Sequence, residues 1–242
     1  MSVDYILKPN TVQGAVYMAL HDSIMYLQMA PGTVMSTQEI AKRMNVSRTP
    51  VREAFIRLER EGLVNIFPQK ETIVTRIDLK RVEQERFMRE SLEMAVQERF
   101  LEHCGKKDLM ELKLLIEEQK QAREEDNYVE FFRLDNRFHE LIFDAAEQSL
   151  SWEMVSRLLG HYDRTRLLTT WTKSISGSAV NQHELLVAAY ENQDVEKAKE
   201  IMKDHLSKLI REEKILLEKY PTFFRSEEEE KKYTFHLPDM PF

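Results

Sequence analysis

Apolar residues recur along this chain mostly at three- and four-residue spacing, the period of helices that bury one face. Val12, Val16, Ala19, Leu20, Ile24 and Leu27 predict an amphipathic helix over residues 11–29, stopped by Pro31-Gly32. Ser36-Thr37-Gln38-Glu39 has the form of a capping box, in which the serine hydroxyl and the glutamate three residues on satisfy each other's backbone donors. A short helix therefore runs to about Met44, with a tight turn at Asn45. Ser47 caps a third helix, and Pro50 falls in its first turn, where a missing N–H costs nothing. Val51, Ala54, Phe55 and Leu58 form its buried side, and Gly62 ends it. Two β-branched runs, Leu63 to Phe67 and Thr72 to Arg76, flank Pro68-Gln69-Lys70-Glu71 and predict a hairpin.

After Asp78 the helical period continues and no strand pattern appears. Helices are expected at about 78–104, 107–124, 127–147, 149–171, 179–191 and 194–219, separated by Gly105, Asn127, Ser149, Ser176-Gly177-Ser178 and Asp194. Short connections make such helices bury their stripes against one another, which predicts an antiparallel bundle. The expected fold is mostly α. Residues 1–77 form an N-terminal winged helix-turn-helix, 78–220 a C-terminal all-helical bundle, and 221–242 a C-terminal tail.

Composition narrows this picture. Six Gly, seven Pro, 42% hydrophobic and 32% charged residues exclude collagen-like and low-complexity chains. No run of 18 apolar residues occurs, and Met1 to Asn10 lacks the basic-then-apolar order of an export signal, so a cytoplasmic location is expected. The single Cys104 offers neither an internal disulfide nor a Cys-x-x-Cys pair, and it reads as a helix-end filler. Net charge matters only once it is divided. The total is −7, yet residues 1–77 carry nine Lys/Arg against seven Asp/Glu (+2), while the remainder carries 26 against 35 (−9).

The positive charge is concentrated where a helix-turn-helix meets nucleic acid. Lys42, Arg43, Arg48, Arg52, Arg57 and Arg60 outnumber Glu39, Glu53 and Glu59 across residues 38–60, and Ser47, Arg48, Thr49 and Arg52 gather at the N-terminal end of the third helix. That end enters the major groove in this motif. An arginine fork suits guanine O6/N7 or a phosphate, and hydroxyls with free helix N–H groups add phosphate contacts. A solvated charged face is the plainer alternative. The segments Pro31-Gly32, Ile40-Ala41, Val46-Ser47-Arg48-Thr49-Pro50-Val51-Arg52-Glu53-Ala54, Leu58 and Glu61-Gly62-Leu63-Val64 resemble the DNA-binding domain of the GntR family of bacterial transcription regulators. The resemblance implies that Ser47, Arg48, Thr49 and Arg52 contact operator DNA, with Arg48 and Arg52 reading bases. Lys70-Glu71 stands where the family's wing usually ends in Arg-Gly, so a carboxylate that phosphate repels occupies the tip.

Within the helical part, the informative residues are polar ones in apolar stripes. Asp135 and His139 adjoin the stripe Phe131, Leu134, Phe138, Leu141, Ile142 and Ala145, four residues and about 6 Å apart on one face. His183 sits within Val180, Leu186, Val187 and Tyr190, and His205 fills a gap among Ala198, Ile201 and Met202. A buried carboxylate needs a partner, and three imidazoles with one carboxylate form a set able to hold Zn²⁺, Ni²⁺ or another first-row ion. Separately hydrogen-bonded core histidines are the alternative.

Leu134-Asp135-x-x-Phe138-His139, His183-x-Leu185-Leu186 and Met202-x-x-His205-Leu206 resemble the FCD effector domain of the FadR subfamily. The resemblance implies that Asp135, His139, His183 and His205 bind a divalent metal, with zinc the first candidate, and that a small carboxylic acid effector completes its coordination. Arg89 lies on the buried side of its helix and is the expected effector-binding residue; a surface pair with Glu93 is the alternative. Glu147-Gln148-Ser149 stands where relatives often carry Gly-Asn. The expected protein is a homodimeric, ligand-responsive repressor on a palindromic operator, without enzymatic activity. One alternative is a purely structural metal, and another is a metal-dependent hydrolase, since three histidines and an aspartate with one open coordination position could activate water; the adjacent His21-Asp22 lies in the first helix, far in sequence from those residues.

Overall fold

The computed structural model describes residues 11–68, 70–171 and 173–226. Met1 to Asn10, Gln69, Thr172 and the residues from Glu227 onward lie outside it. Among the described residues, no helix is long and apolar enough to cross a membrane.

The N-terminal part combines three helices with a small sheet. Helix α1 (Val12–Met25) begins where the Thr11 hydroxyl accepts the Gly14 N–H at 3.0 Å. It ends earlier than the periodicity suggests, because Leu27 turns to φ 58° and packs into the core of the helical bundle instead of extending the α1 stripe. In α2 (Thr37–Met44) Ser36 Oγ accepts the Glu39 N–H at 3.1 Å, and Asn45 takes the left-handed conformation that closes the turn. Helix α3 (Arg48–Arg60) follows Ser47, whose hydroxyl makes no capping hydrogen bond, contrary to the expected serine cap. Gly62 (φ 76°) terminates it.

The hairpin is present as β2 (Val64–Phe67) and β3 (Glu71–Val74), joined by β1 (Val34–Met35) in the antiparallel order β1-β3-β2. Val34 faces Ile73, and Val64 faces Val74. A two-residue strand is too short to show a period, so β1 left no signal in the sequence. Val16, Leu20, Ile24, Ile40, Val51, Phe55, Leu58, Leu63 and Val74 form one core, each contributing roughly 1.5–3 kcal/mol for a large side chain removed from water.

A second core is built by α4 (Leu79–His103), α5 (Lys106–Glu124), α6 (Tyr128–Ala145), α7 (Ser149–Ser156), α8 (Gly160–Thr170), α9 (Lys173–Glu191) and α10 (Val195–Lys219). Two boundaries differ from expectation. The single helix expected over 149–171 is two, broken at residues 157–159. The break lets the first turn of α8 meet Glu85 of α4, whose carboxylate accepts the N–H groups of His161 and Tyr162 at 2.9 and 2.8 Å. Ser176-Gly177-Ser178, expected as a separator, lies inside α9.

Residues 221–226 do not lead away from the body. A 3-10 turn over Pro221–Phe223 brings Phe224 beside Ile77, with Ile77 N–H donating to Phe223 O and Arg225 N–H to Ile77 O, both at 2.8 Å. Ile77 and Phe224 are buried.

Candidate metal centre and nucleic-acid interface

Helices α6, α9 and α10 turn Asp135, His139, His183 and His205 toward one point, and one ligand atom from each lies within 4.8 Å of all the others. Asp135 Oδ1 is 3.6 Å from His183 Nε2, and Oδ2 is 3.8 Å from His139 Nε2. Imidazole nitrogens stand about 2.0–2.1 Å from a bound zinc ion, so side-chain adjustments of under about 1 Å close these four around a common centre.

Each imidazole has its outer nitrogen engaged. His139 Nδ1–H donates to Glu93 at 2.9 Å, His183 Nδ1–H to Gln119 Oε1 at 2.8 Å, and His205 Nδ1–H to Gln182 Oε1 at 3.1 Å. The two glutamines are themselves oriented, since Gln119 Nε2 donates to Leu134 O at 3.3 Å and Gln182 Nε2 to Asp204 at 2.7 Å. Their oxygens therefore face the rings, fixing the tautomer that leaves Nε2 with its lone pair inward. His139 Nε2 and His183 Nε2 are fully buried without a hydrogen-bond partner. Orphaned inward lone pairs fit a cation and do not fit histidines that merely fill a core.

Electrostatics favour the same protonation. Burial drives His183 down to about 3 against the pull of Asp135, and burial also lowers His205 well below the usual histidine value. Asp135 is held well below the ordinary carboxylate range: burial opposes this, but Arg166 and then the histidines outweigh it. Glu93, buried between His139 and Arg89, is likewise held at about 2 despite its desolvation.

A ring of charged contacts surrounds the four residues. Arg166 of α8 pairs with Asp135, donates to Asn136 at 2.8 Å and to Asp163 at 2.7 Å. Asp163 lies 3.9 Å from Arg89 Nη1, and Arg89 Nε donates to Glu93 Oε1 at 2.9 Å. Arg89 does pair with Glu93 at i+4, but both are 0% exposed, so the surface bridge considered above becomes a buried one. Arg89 Nη1 and Nη2, also buried, have no hydrogen-bond partner. Gln119, Asp163, Arg166 and Gln182 were not expected here, and Glu93 was expected only as a surface partner of Arg89 and not as a partner of His139. Gln119 was within reach of the same logic that found the histidines, because it interrupts the α5 stripe Leu112, Leu115, Ile116 and Ala122.

The basic end of α3 lies at the opposite extreme of exposure. Ser47, Arg48, Thr49 and Arg52 are all exposed, and Arg48 and Arg52 make no ion pair among the described residues. A concave surface between α3 and the hairpin is lined by Arg48, Arg52, Thr37, Gln38, Lys70 and Glu71. Arg57 is not part of it; its guanidinium stacks 3.6 Å from the Tyr17 ring centre and pairs with Glu61 at 3.2 Å. His21 and Asp22, 3.2 Å apart on α1, belong to the N-terminal part and take no place in the histidine cluster.

Residues 12–74 match the gntR family of bacterial regulatory proteins, and residues 86–208 match the FCD domain. The HTH-type transcriptional repressor RspR of Escherichia coli K12 is 32% identical over 210 residues, spanning 86% of this chain and 92% of RspR. An HTH-type regulator from an unstable DNA locus of Streptomyces ambofaciens is 34% identical over 191 residues, covering 79% of this chain and 80% of that protein. Among solved structures, E. coli McbR/YncC superposes with a TM-score of 0.71 at 22% identity, covering 84% of this chain and 98% of that one. A GntR regulator from Rhodococcus gives 0.70 at 17% identity over 82% and 97%. Neither the relatives nor the matched domains are enzymes. The chain belongs to the GntR family and is a DNA-binding transcription regulator carrying an FCD effector domain.

Proposed function

We propose that this regulator is a cytoplasmic homodimeric repressor whose operator affinity is set by a small carboxylic acid bound beside a divalent metal, zinc being the first candidate. Residues 1–77 form the DNA-binding domain, 78–220 the effector and dimerisation domain, and 221–242 a tail. Asp135, His139, His183 and His205 hold the ion. Arg89 takes the acid. Ser47, Arg48, Thr49 and Arg52 contact a palindromic operator, with Arg48 and Arg52 at base edges. The bound ion supplies a Lewis-acidic position for a carboxylate oxygen.

One observation carries the reading. Buried nitrogens that lack partners are of two kinds here, acceptors at His139 and His183 Nε2 and donors at Arg89 Nη1 and Nη2. A cation satisfies the first kind and a carboxylate the second, which is why a purely structural ion explains less. RspR is named a repressor, and that supports the same sign of control. Self-association is supported by the exposed apolar residues Phe87, Met88, Leu150, Met154 and Leu158, which line one groove between α4 and α7.

Protein purified without chelator should contain about one divalent ion per chain by elemental analysis, and the His139→Ala/His183→Ala double variant should contain none. A thermal-shift series with small carboxylic acids, run with and without chelator, should show stabilisation that depends on the ion and is lost in Arg89→Ala. Metal-free wild-type protein stabilised equally by the same acids would reject the shared site.

A further inference from the structure

We propose that α8 transmits the state of the metal centre to the DNA-binding unit, with Arg166 and Asp163 as its input and His161 and Arg164 as its output. The inference rests on the reading of Asp135 and the three histidines as a metal site.

The two ends are two faces of one short helix. At 3.6 residues per turn, the pair 161/164 and the pair 163/166 point roughly 160° apart. The inner face meets the centre through Arg166, which pairs with Asp135, and through Asp163, 3.9 Å from Arg89. The outer face meets the N-terminal unit at two backbone positions. Arg164 Nη1 donates to Thr75 O at 2.7 Å and Nη2 to Thr75 Oγ1 at 3.2 Å, while His161 Nε2–H donates to Gly62 O at 3.2 Å. His161 Nδ1 accepts the Asp78 N–H at 3.0 Å, so the ring clasps both sides of the junction. Gly62 closes the DNA-facing helix α3, and Thr75 follows β3 at the root of the wing. Gly160 keeps the approach close, because a Cβ there would stand 2.8 Å from Leu63 Cδ2.

The chemistry makes this contact more than adhesive. Arg164 is 0% exposed and has no carboxylate within ion-pair distance among the described residues. A buried cation resting on a carbonyl and a hydroxyl costs more desolvation than an apolar contact, and it fixes direction and register in return. On the inner face, Asp135 has one carboxylate and two claims on it. A cation held by Asp135 and the histidines would share the carboxylate that Arg166 pairs with, and the guanidinium, which also donates to Asn136 and Asp163, would shift toward those partners. Arg89 couples to the same helix through Asp163, so a carboxylate on Arg89 acts on α8 as well. The helix is short and internally hydrogen-bonded, so displacement at Arg166 reaches Arg164 and His161 as one body.

Helix α4 passes the same junction, and Arg81 donates to Glu61 O at 2.9 Å. Variants on α8 separate the two routes. In the full-length protein, Zn²⁺ alone is titrated by calorimetry, and amide hydrogen exchange is followed with Zn²⁺ or with chelator. In wild type, Zn²⁺ should change exchange at residues 61–64 and 74–78 by at least about fivefold, the low end of typical coupling between sites. Arg164→Gln should bind Zn²⁺ with wild-type affinity and keep the response around residues 135–139 while losing the response at the junction. His161→Gln is a second cut at the same face, and serves if Arg164→Gln does not fold. Zn²⁺ binding by wild type with no change at the junction, or an unaltered junction response in the folded α8 variants, overturns the relay and leaves the metal site standing. Failure of wild type to bind Zn²⁺ overturns the metal reading and the relay with it, and the titration tells these failures apart.

Discussion

The two ends of this protein are built on opposite principles. The DNA-facing end is local: Ser47, Arg48, Thr49 and Arg52 fall within six consecutive positions, and the start of one helix displays them to solvent. The candidate metal centre gathers Arg89, Glu93, Gln119, Asp135, His139, Arg166, Gln182, His183 and His205 from six helices and buries six of the nine, leaving Arg166, Gln182 and His205 half-buried. A surface made for a polyanion needs charge and exposure, which a single amphipathic helix can provide. A site that must desolvate a small anion and a cation needs every donor answered by an acceptor, and only a folded bundle supplies that. Changes at the first end should therefore alter binding and spare stability, whereas changes at the second should alter both.

The largest expected effect tests that contrast where it is sharpest. Asp135→Ala leaves the largely enclosed Arg166 with part of its compensation gone, and should destabilise the metal-free protein by about 3–5 kcal/mol in urea unfolding. A loss under about 1 kcal/mol would show the centre to be as tolerant as a surface. Next, Glu93→Gln keeps the shape but removes the charge that holds His139 and Arg89, and should weaken zinc affinity about 10- to 100-fold by calorimetry. Arg48→Ala and Arg52→Ala should each cost about 1–3 kcal/mol of operator affinity while the urea midpoint stays in place. Unchanged binding in both variants rejects the docking of α3. The smallest effect is expected at a turn that belongs to neither end. Glu147 sits at φ 57°, and Glu147→Gly should raise stability by up to about 1 kcal/mol, read from the same unfolding curves.

How far the sequence spoke depended on the range of the interactions concerned. The serine cap at Ser36, the turn at Asn45 and the stop at Gly62 are decided within a few residues, and they are where periodicity and turn chemistry put them, although the return bond from Glu39 that would complete a capping box does not form. The inward histidines were visible because each breaks an apolar stripe of its own helix. The residues that orient them were not, because Glu93 and Gln182 answer rings on other helices, and nothing in their own segments announces a distant imidazole. The break between α7 and α8 was hidden for the same reason. It exists so that Glu85, some 76 residues earlier, can meet a helix start. Leu27 ended α1 early by joining the other core.

The return of residues 221–226 to Ile77 has a practical corollary for anyone who would dissect the molecule. Ile77 is sandwiched by the far end of the polypeptide, and Leu27 contributes its methyl groups to the bundle. A fragment cut after residue 77 takes with it two plugs that the remaining piece was folded around, and strips its own last residue of cover. Fragments for crystallography or screening should keep residues 11 to 226 together.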